Sequence, residues 1–181
     1  MANKYTVIRT DSLSGTDQRA DLLSVRVYDA DGKAIAVENG AIVKVGALEA
    51  GEREIYKATL ATAEDNIDEC AILAGVEVMY DDRARNLDDY INEAGKPIRA
   101  YIPRNRNFFA VTKEGFVDGT VPAEEGEVGI GANGKIDAAG TGLGVCRAIE
   151  IAGRYTYYVI QIAKASNSSN ATPPVVDNGE A

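Results

Sequence analysis

Short apolar runs closed by glycine, asparagine or aspartate turns recur along most of this chain, and a helical period shows only once. That spacing constrains the fold more than any single motif, because it calls for short strands joined by tight turns. Residues 4–10, "KYTVIRT", open with β-branched and aromatic side chains. In "LLSVRVYD", Val25 and Val27 alternate with Arg26 and Tyr28, the mark of a half-buried strand. "DADGK" predicts a turn with Gly32 at positive φ, and Asn39-Gly40 predicts a hairpin between two further strands. "REIYKATLA", "ECAILAGVEVMY", "PIRAYIP" and "NFFAVTKEGF" add candidates.

Hairpins are expected at Asn133-Gly134 and at Ala152-Gly153, with a glycine loop at Gly140, Gly142 and Gly144. The last run, "RYTYYVIQIA", places Tyr155, Tyr157, Val159 and Gln161 on one face and Thr156, Tyr158, Ile160 and Ile162 on the other. Both faces are largely apolar or aromatic, so this strand is expected at the centre of its sheet.

The helical exception is "NLDDYINEAGK". Leu87, Tyr90 and Ile91 recur at i, i+3 and i+4, Asn86 can cap the start and Gly95 can end it. The fold class is therefore α+β and β-rich: short antiparallel strands and hairpins in one or two small sheets or barrels, with one or two short helices. Residues 1–165 form the folded unit, and if there are two lobes the boundary falls near 63–66 or near 95. Residues 166–181, "SNSSNATPPVVDNGEA", have little to bury and are expected to be a disordered polar tail.

Composition removes several functions. The chain has no histidine, which excludes a Ser-His-Asp or Cys-His nucleophile and a His-ligated zinc site within one chain. A formal charge of −9 and a pI near 4.6 disfavour nucleic acid and anionic membranes as partners. Cys70 and Cys146 sit in apolar surroundings and are expected as buried reduced thiols. The N-terminus has no apolar signal region and no window is long and apolar enough for a spanning helix, so the expected site of synthesis is a cytoplasm.

The densest charge lies in residues 77–95, "EVMYDDRARNLDDYINEAG". Paired carboxylates can hydrolyse glycosides or hold a hard cation. Asp81 and Asp82 are adjacent, as are Asp88 and Asp89, so neither pair converges by spacing. Arg83 and Arg85 lie between the pairs and favour ion pairing. "DADGK" lacks the glutamate of a calcium loop at position twelve, where Gly40 stands, and the glycine-rich "GIGANGKIDAAGTGLG" fits neither a dinucleotide nor a phosphate-loop pattern. No catalytic, cofactor or metal residue is assigned. "YIPRNRNFF" interleaves Arg104 and Arg106 with Phe108 and Phe109, a pattern that suits a protein interface.

Four phrases together carry a resemblance: "MANKYTVIRTDSLSGT", "GEREIYKA", "GVEVMYDDRARNLDDYINEAGKPIRAY" and "GRYTYYVIQIA". The chain resembles the head decoration proteins encoded beside the major capsid protein in tailed phages and prophages of Gram-positive bacteria, over residues 1 to about 164. The resemblance implies a non-enzymatic protein on the capsid exterior, bound to the major capsid protein and often oligomeric. Its expected capsid contacts are Arg83, Arg85, Arg104, Arg106 and Phe108. The alternatives are a tail-tube or head–tail joining component, a carboxylate hydrolase, or a ligand-binding module built around Tyr155 and Tyr157.

Overall fold

The structure is a computed structural model that describes residues 4–9, 21–79 and 86–163. Its strands are β1 (Ile8–Arg9), β2 (Leu22–Tyr28), β3 (Ile42–Leu48), β4 (Ile55–Leu60), β5 (Cys70–Leu73), β6 (Ile98–Tyr101), β7 (Phe108–Val111), β8 (Glu127–Ile130), β9 (Ile136–Asp137), β10 (Gly142–Ala152) and β11 (Tyr155–Ile162). They form two sheets. β2-β4-β3-β5-β6 close into a barrel, and β1-β7-β11-β10-β8-β9 form an open six-stranded sheet.

The barrel is antiparallel except where β2 runs parallel to β4, with Val25 beside Tyr56 and Val27 beside Ala58. A parallel neighbour needs a crossover. Residues 29–41 supply it, carrying the chain from β2 to β3 before β4 inserts between them. The Asn39-Gly40 turn therefore does not make the expected hairpin. Residues 34–37 form only isolated bridges, Ala34 with Tyr28 and Val37 with Asn92.

Burial on both faces explains the unbroken apolar run "CAIL". Along β5, Ala71 and Leu73 point into the barrel with Val25, Val27, Val43, Ala58, Ile98 and Ala100. Cys70 and Ile72 point out of it and join Ile42 and Tyr101 against the second sheet. The sheet answers with Phe109, Val111, Val128, Leu143, Ile160 and Ile162, and Phe116 lies in the same layer. Few strands leave a narrow lumen, which suits the mainly alanine and valine side chains that line it. One core thus joins barrel and sheet. The chain passes between the two sheets twice, between Arg9 and Leu22 and again between Tyr101 and Phe108, whereas residues 63–66 and residue 95 both lie in connections between barrel strands.

β11 sits between β7 and β10, as the two-faced pattern requires. Ile160 and Ile162 enter the shared core, while Tyr155, Tyr157 and Val159 pack with Val7 and Ala110 on the far face. Both expected hairpins form. Asn133 and Gly134 take positive φ between β8 and β9, and Gly153 takes positive φ between Ala152 and Tyr155. Gly142 and Gly144 lie inside β10 rather than in a loop, and Gly144 must be glycine because a Cβ there would come within 2.1 Å of the Gln161 carbonyl oxygen. Both cysteines are buried thiols, and neither is in a disulfide.

The expected helix at 87–95 reduces to one 3-10 turn, Leu87–Asp89. Asn86 and Asp89 close it as a reciprocal capping box, and Tyr90 is already extended at φ −77° and ψ 134°. The reason lies in what is buried: Asp88, not Leu87, faces inward, and Asn92 must stay extended to bridge Val37. Among the described residues the helical pieces are all such short 3-10 turns. Residues 166–181 lie outside the described residues.

Candidate interaction surface

β5 and β6 are joined by one long connection, residues 74–97, and it contains the whole charge-dense segment, excursion enough to need fastening at both ends. Its base is locked by amide side chains. Asn39 Oδ1 accepts from the Gly75 N–H at 2.8 Å and from Asn92 Nδ2 at 2.9 Å. Asn39 Nδ2 donates to the Gly75 carbonyl at 3.0 Å and to Glu77 Oε1 at 3.3 Å. Asn92 Nδ2 also donates to the Val37 carbonyl at 2.9 Å. Both asparagines are buried, so each unmade bond would cost about 1–3 kcal/mol. Tyr90 Oη donates to Asn92 Oδ1 at 3.1 Å, closing the network. Burial raises the Glu77 carboxyl above its ordinary range, and the Asn39 amide only partly offsets that.

A second anchor is ionic. Asp88 is 4% exposed. Both its oxygens accept from Arg154 at 2.7 Å, and Oδ1 accepts from the Tyr155 hydroxyl at 2.7 Å. The Asp88 carbonyl also accepts the Tyr5 N–H at 3.1 Å. Arg154 follows the Gly153 turn, so the hairpin tip of the open sheet holds the excursion in place. Burial by itself would raise the Asp88 pKa; the Tyr155 hydroxyl, backbone N–H groups and Arg154 outweigh it and the net shift is downward.

The stretch just before residue 80 is presented rather than packed. Val76 is 59% exposed and Val78 is 51% exposed, beside a small hollow lined by Ala74, Gly75, Glu77, Arg99 and Tyr101. Arg83 and Arg85 lie outside the described residues, as do Asp81 and Asp82. Arg104, Arg106 and Phe108 fall together on the crossover from barrel to sheet. Arg104 Nε donates to both oxygens of buried Asp21 at 2.7 and 2.8 Å, which keeps its guanidinium pKa above the ordinary value. Arg106 is exposed at a turn with φ 71°, and its N–H donates to the Ile162 carbonyl at 2.8 Å. Phe108 is half-buried against the Tyr155–Tyr157 layer. Thus Arg104 ties the fold and Arg106 faces solvent.

Elsewhere the chemistry-bearing groups serve local structure. Asp88 and Asp89 diverge, one into the ion pair and one into the cap. Asp29 Oδ1 accepts from the N–H groups of Asp31 and Lys33, so "DADGK" is an Asx turn. Gly129 and Gly140 approach so closely that a Cβ on either would meet the other at 2.9 Å, a packing role for the glycine-rich run. Tyr155 and Tyr157 are buried, so the aromatic groove expected of a ligand module there is not formed. A groove of about 310 Å³ at the barrel rim is lined by Tyr28, Lys44, Val45 and Lys57. Lys44 is already engaged by Asp65 at 2.8 Å and Glu69 at 3.3 Å, and Lys57 stands over the Tyr28 ring. Among the described residues no group of three His, Cys, Asp or Glu side chains is placed to hold a metal ion, and no helix is long and apolar enough to cross a membrane.

Sequence reasoning missed the Asp88–Arg154–Tyr155 cluster and the Asn39–Asn92 lock. Its one usable signal was the pair of polar residues, Asp88 and Asn92, at positions that a helical reading assigned to solvent. Compared with known families, characterised proteins and solved structures, the chain matches none.

Proposed function

We propose that this chain is a non-enzymatic structural component of a tailed-phage virion, a decoration protein that binds the outer surface of the head and stabilises it. One observation carries the reading beyond the sequence resemblance. The connection from Gly75 to Asn92 is held by buried amides and by the Asp88–Arg154 pair, while Val76 and Val78 are left exposed. A rigid base under exposed apolar side chains suits protein recognition, because little ordering entropy is lost on docking. The capsid protein is the partner, the virion exterior is the location, and Arg106 supplies an exposed cation. Asp88 and Asp89, two of the carboxylates a hydrolase would need, are committed to an ion pair and a turn cap, which supports the non-enzymatic reading.

Expanded heads lacking this protein provide the test. Added protein should co-sediment with them and raise their heat resistance, and charge reversal at Arg83 and Arg85 should weaken both effects. Failure of the wild-type chain to bind such heads would sink the proposal. Rings or tubes formed by the chain alone would favour a tail-tube or head–tail joining role instead.

A further inference from the structure

β10 is far longer than the strand that flanks it. β8 pairs with it only as far as Val145, and the last bonds on that side join the Cys146 N–H to the Gly126 carbonyl and the Glu125 N–H to the Cys146 carbonyl. From there to Ala152 it pairs with β11 alone, after a bulge between Cys146 and Ala148. Among the described residues nothing bonds the other edge. The loop after Ala152 has two residues, so Ala152 and Tyr155 form the closing hydrogen-bonded pair. Alternation then turns the N–H and C=O groups of Ala148, Glu150 and Ala152 toward β11, and those of Ile149 and Ile151 outward. On the face shared with Tyr158, Ile149 is 41% and Ile151 is 80% exposed.

We propose that this edge is a self-association strand, pairing antiparallel with β10 of a second copy about a two-fold axis at Glu150. In that register Ile149 of each copy faces Ile151 of the other. All the outward backbone groups of Ile149 and Ile151 are used, and four isoleucines become contiguous. Charge selects the second copy as occupant. The chain carries −9 overall and repels itself except where charge is locally cancelled. Here the single edge charge, Glu150, is bound by Arg9 of its own chain at 2.7 Å. Two copies would meet as a row of arginine, two glutamates and arginine, with no net charge. Proline or lysine, the usual protections of an exposed edge, are missing from residues 148–152. The inference is independent of the capsid reading.

Sedimentation velocity on the full chain from about 1 to 100 µM tests it. The wild type should reach twice the 19.2 kDa chain mass. Ile151→Lys should raise the dissociation constant by about tenfold or more without changing the circular dichroism spectrum. Arg9→Glu should weaken the dimer similarly, and the swap Arg9→Glu/Glu150→Arg should restore it. Val121→Lys, an exposed apolar site elsewhere, should have no effect. A monomer at every concentration would overturn the proposal, as would a dimer untouched by Ile151→Lys, equal dissociation by Val121→Lys, or association seen only on added phage heads.

Discussion

Replacing Asp88 by alanine should cost stability well out of proportion to its position in a loop. The carboxylate is nearly solvent-free and accepts three side-chain bonds, two from Arg154 and one from the Tyr155 hydroxyl. In the variant, Arg154 can turn into water, since its side chain is 43% exposed. The hydroxyl of buried Tyr155 cannot. A stranded buried donor costs about 1–3 kcal/mol, and loss of the charge-assisted bonds adds to it, giving a total of about 3 kcal/mol. Tyr155→Phe removes the hydroxyl and leaves Asp88 with Arg154, so it should cost only about 1 kcal/mol. The double variant should then be more stable than the sum of the two predicts, by about 1 kcal/mol, because no donor is stranded.

Urea unfolding followed by circular dichroism measures all three, and thermal melts should place Asp88→Ala about 6–12 °C below the wild type. The same pair gives a pH signature. The Asp88 pKa is lowered in the folded chain, so its contribution is fully present above its unfolded value near 3.9 and is lost as pH falls through the folded value. The difference between wild type and Asp88→Ala should therefore be flat above about pH 5 and shrink below about pH 4. A cost under about 1 kcal/mol together with additive single effects would refute the claim that the hairpin tip anchors this loop.

Gly144→Ala should destabilise by about 2–4 kcal/mol in urea titrations, because its Cβ would sit 2.1 Å from the Gln161 carbonyl and no flexible atom can yield. Asn39→Ala should cost about 2–4 kcal/mol and speed hydrogen exchange at the Gly75 and Asn92 amides, since Asn39 bonds both ends of the excursion. The native cysteines should react with a thiol reagent only as fast as the chain opens. Both are buried and neither is in a disulfide, and burial, followed by nearby Glu124 and Glu125, holds the Cys146 thiol above its ordinary pKa despite a backbone hydrogen bond at Ala148. Rapid modification of either in folded protein would contradict their burial.

Local chemistry was legible in the sequence wherever the determinant was local. The two-faced pattern of "YTYYVIQI" placed β11 at the centre of a sheet, and Asn133-Gly134 and Ala152-Gly153 marked true hairpins. "DADGK" folded as a turn because Asp29 can bond its own following N–H groups. What failed were inferences that depended on partners distant in the chain. The Asn39-Gly40 signal is a real turn, with Gly40 at φ 82°, yet the strand after it pairs with β4 and β5. No local pattern encodes a parallel β2–β4 pairing or the closure of β2 on β6. The helix reading at 87–95 failed for the same reason. Leu87, Tyr90 and Ile91 have helical spacing, but the bonds that decide the conformation run from Asp88 to Arg154 and from Asn92 to Val37 and Asn39. The candidate contacts divided likewise: Arg104 proved to be bound to Asp21, a partner 83 residues away that no spacing suggested.

These observations separate two uses of charge in one acidic chain. Where a charged group is buried, it is matched across long sequence distance: Asp88 by Arg154, and Asp21 by Arg104. Each match ties a connecting segment to a strand, so these pairs act as fasteners between parts that the hydrophobic core alone would leave adjustable. A fastener must not move in use, and breaking one exposes a desolvated carboxylate. Interaction surfaces have the opposite requirement: their groups must be free to exchange water for a partner at little cost. Val76, Val78, Arg106, Ile149 and Ile151 meet it, because none of their side chains enters the shared core. The charge-dense segment is thus internally divided. Asp88 and Asn92 hold its return to the barrel, whereas Val76 and Val78 at its start stay exposed.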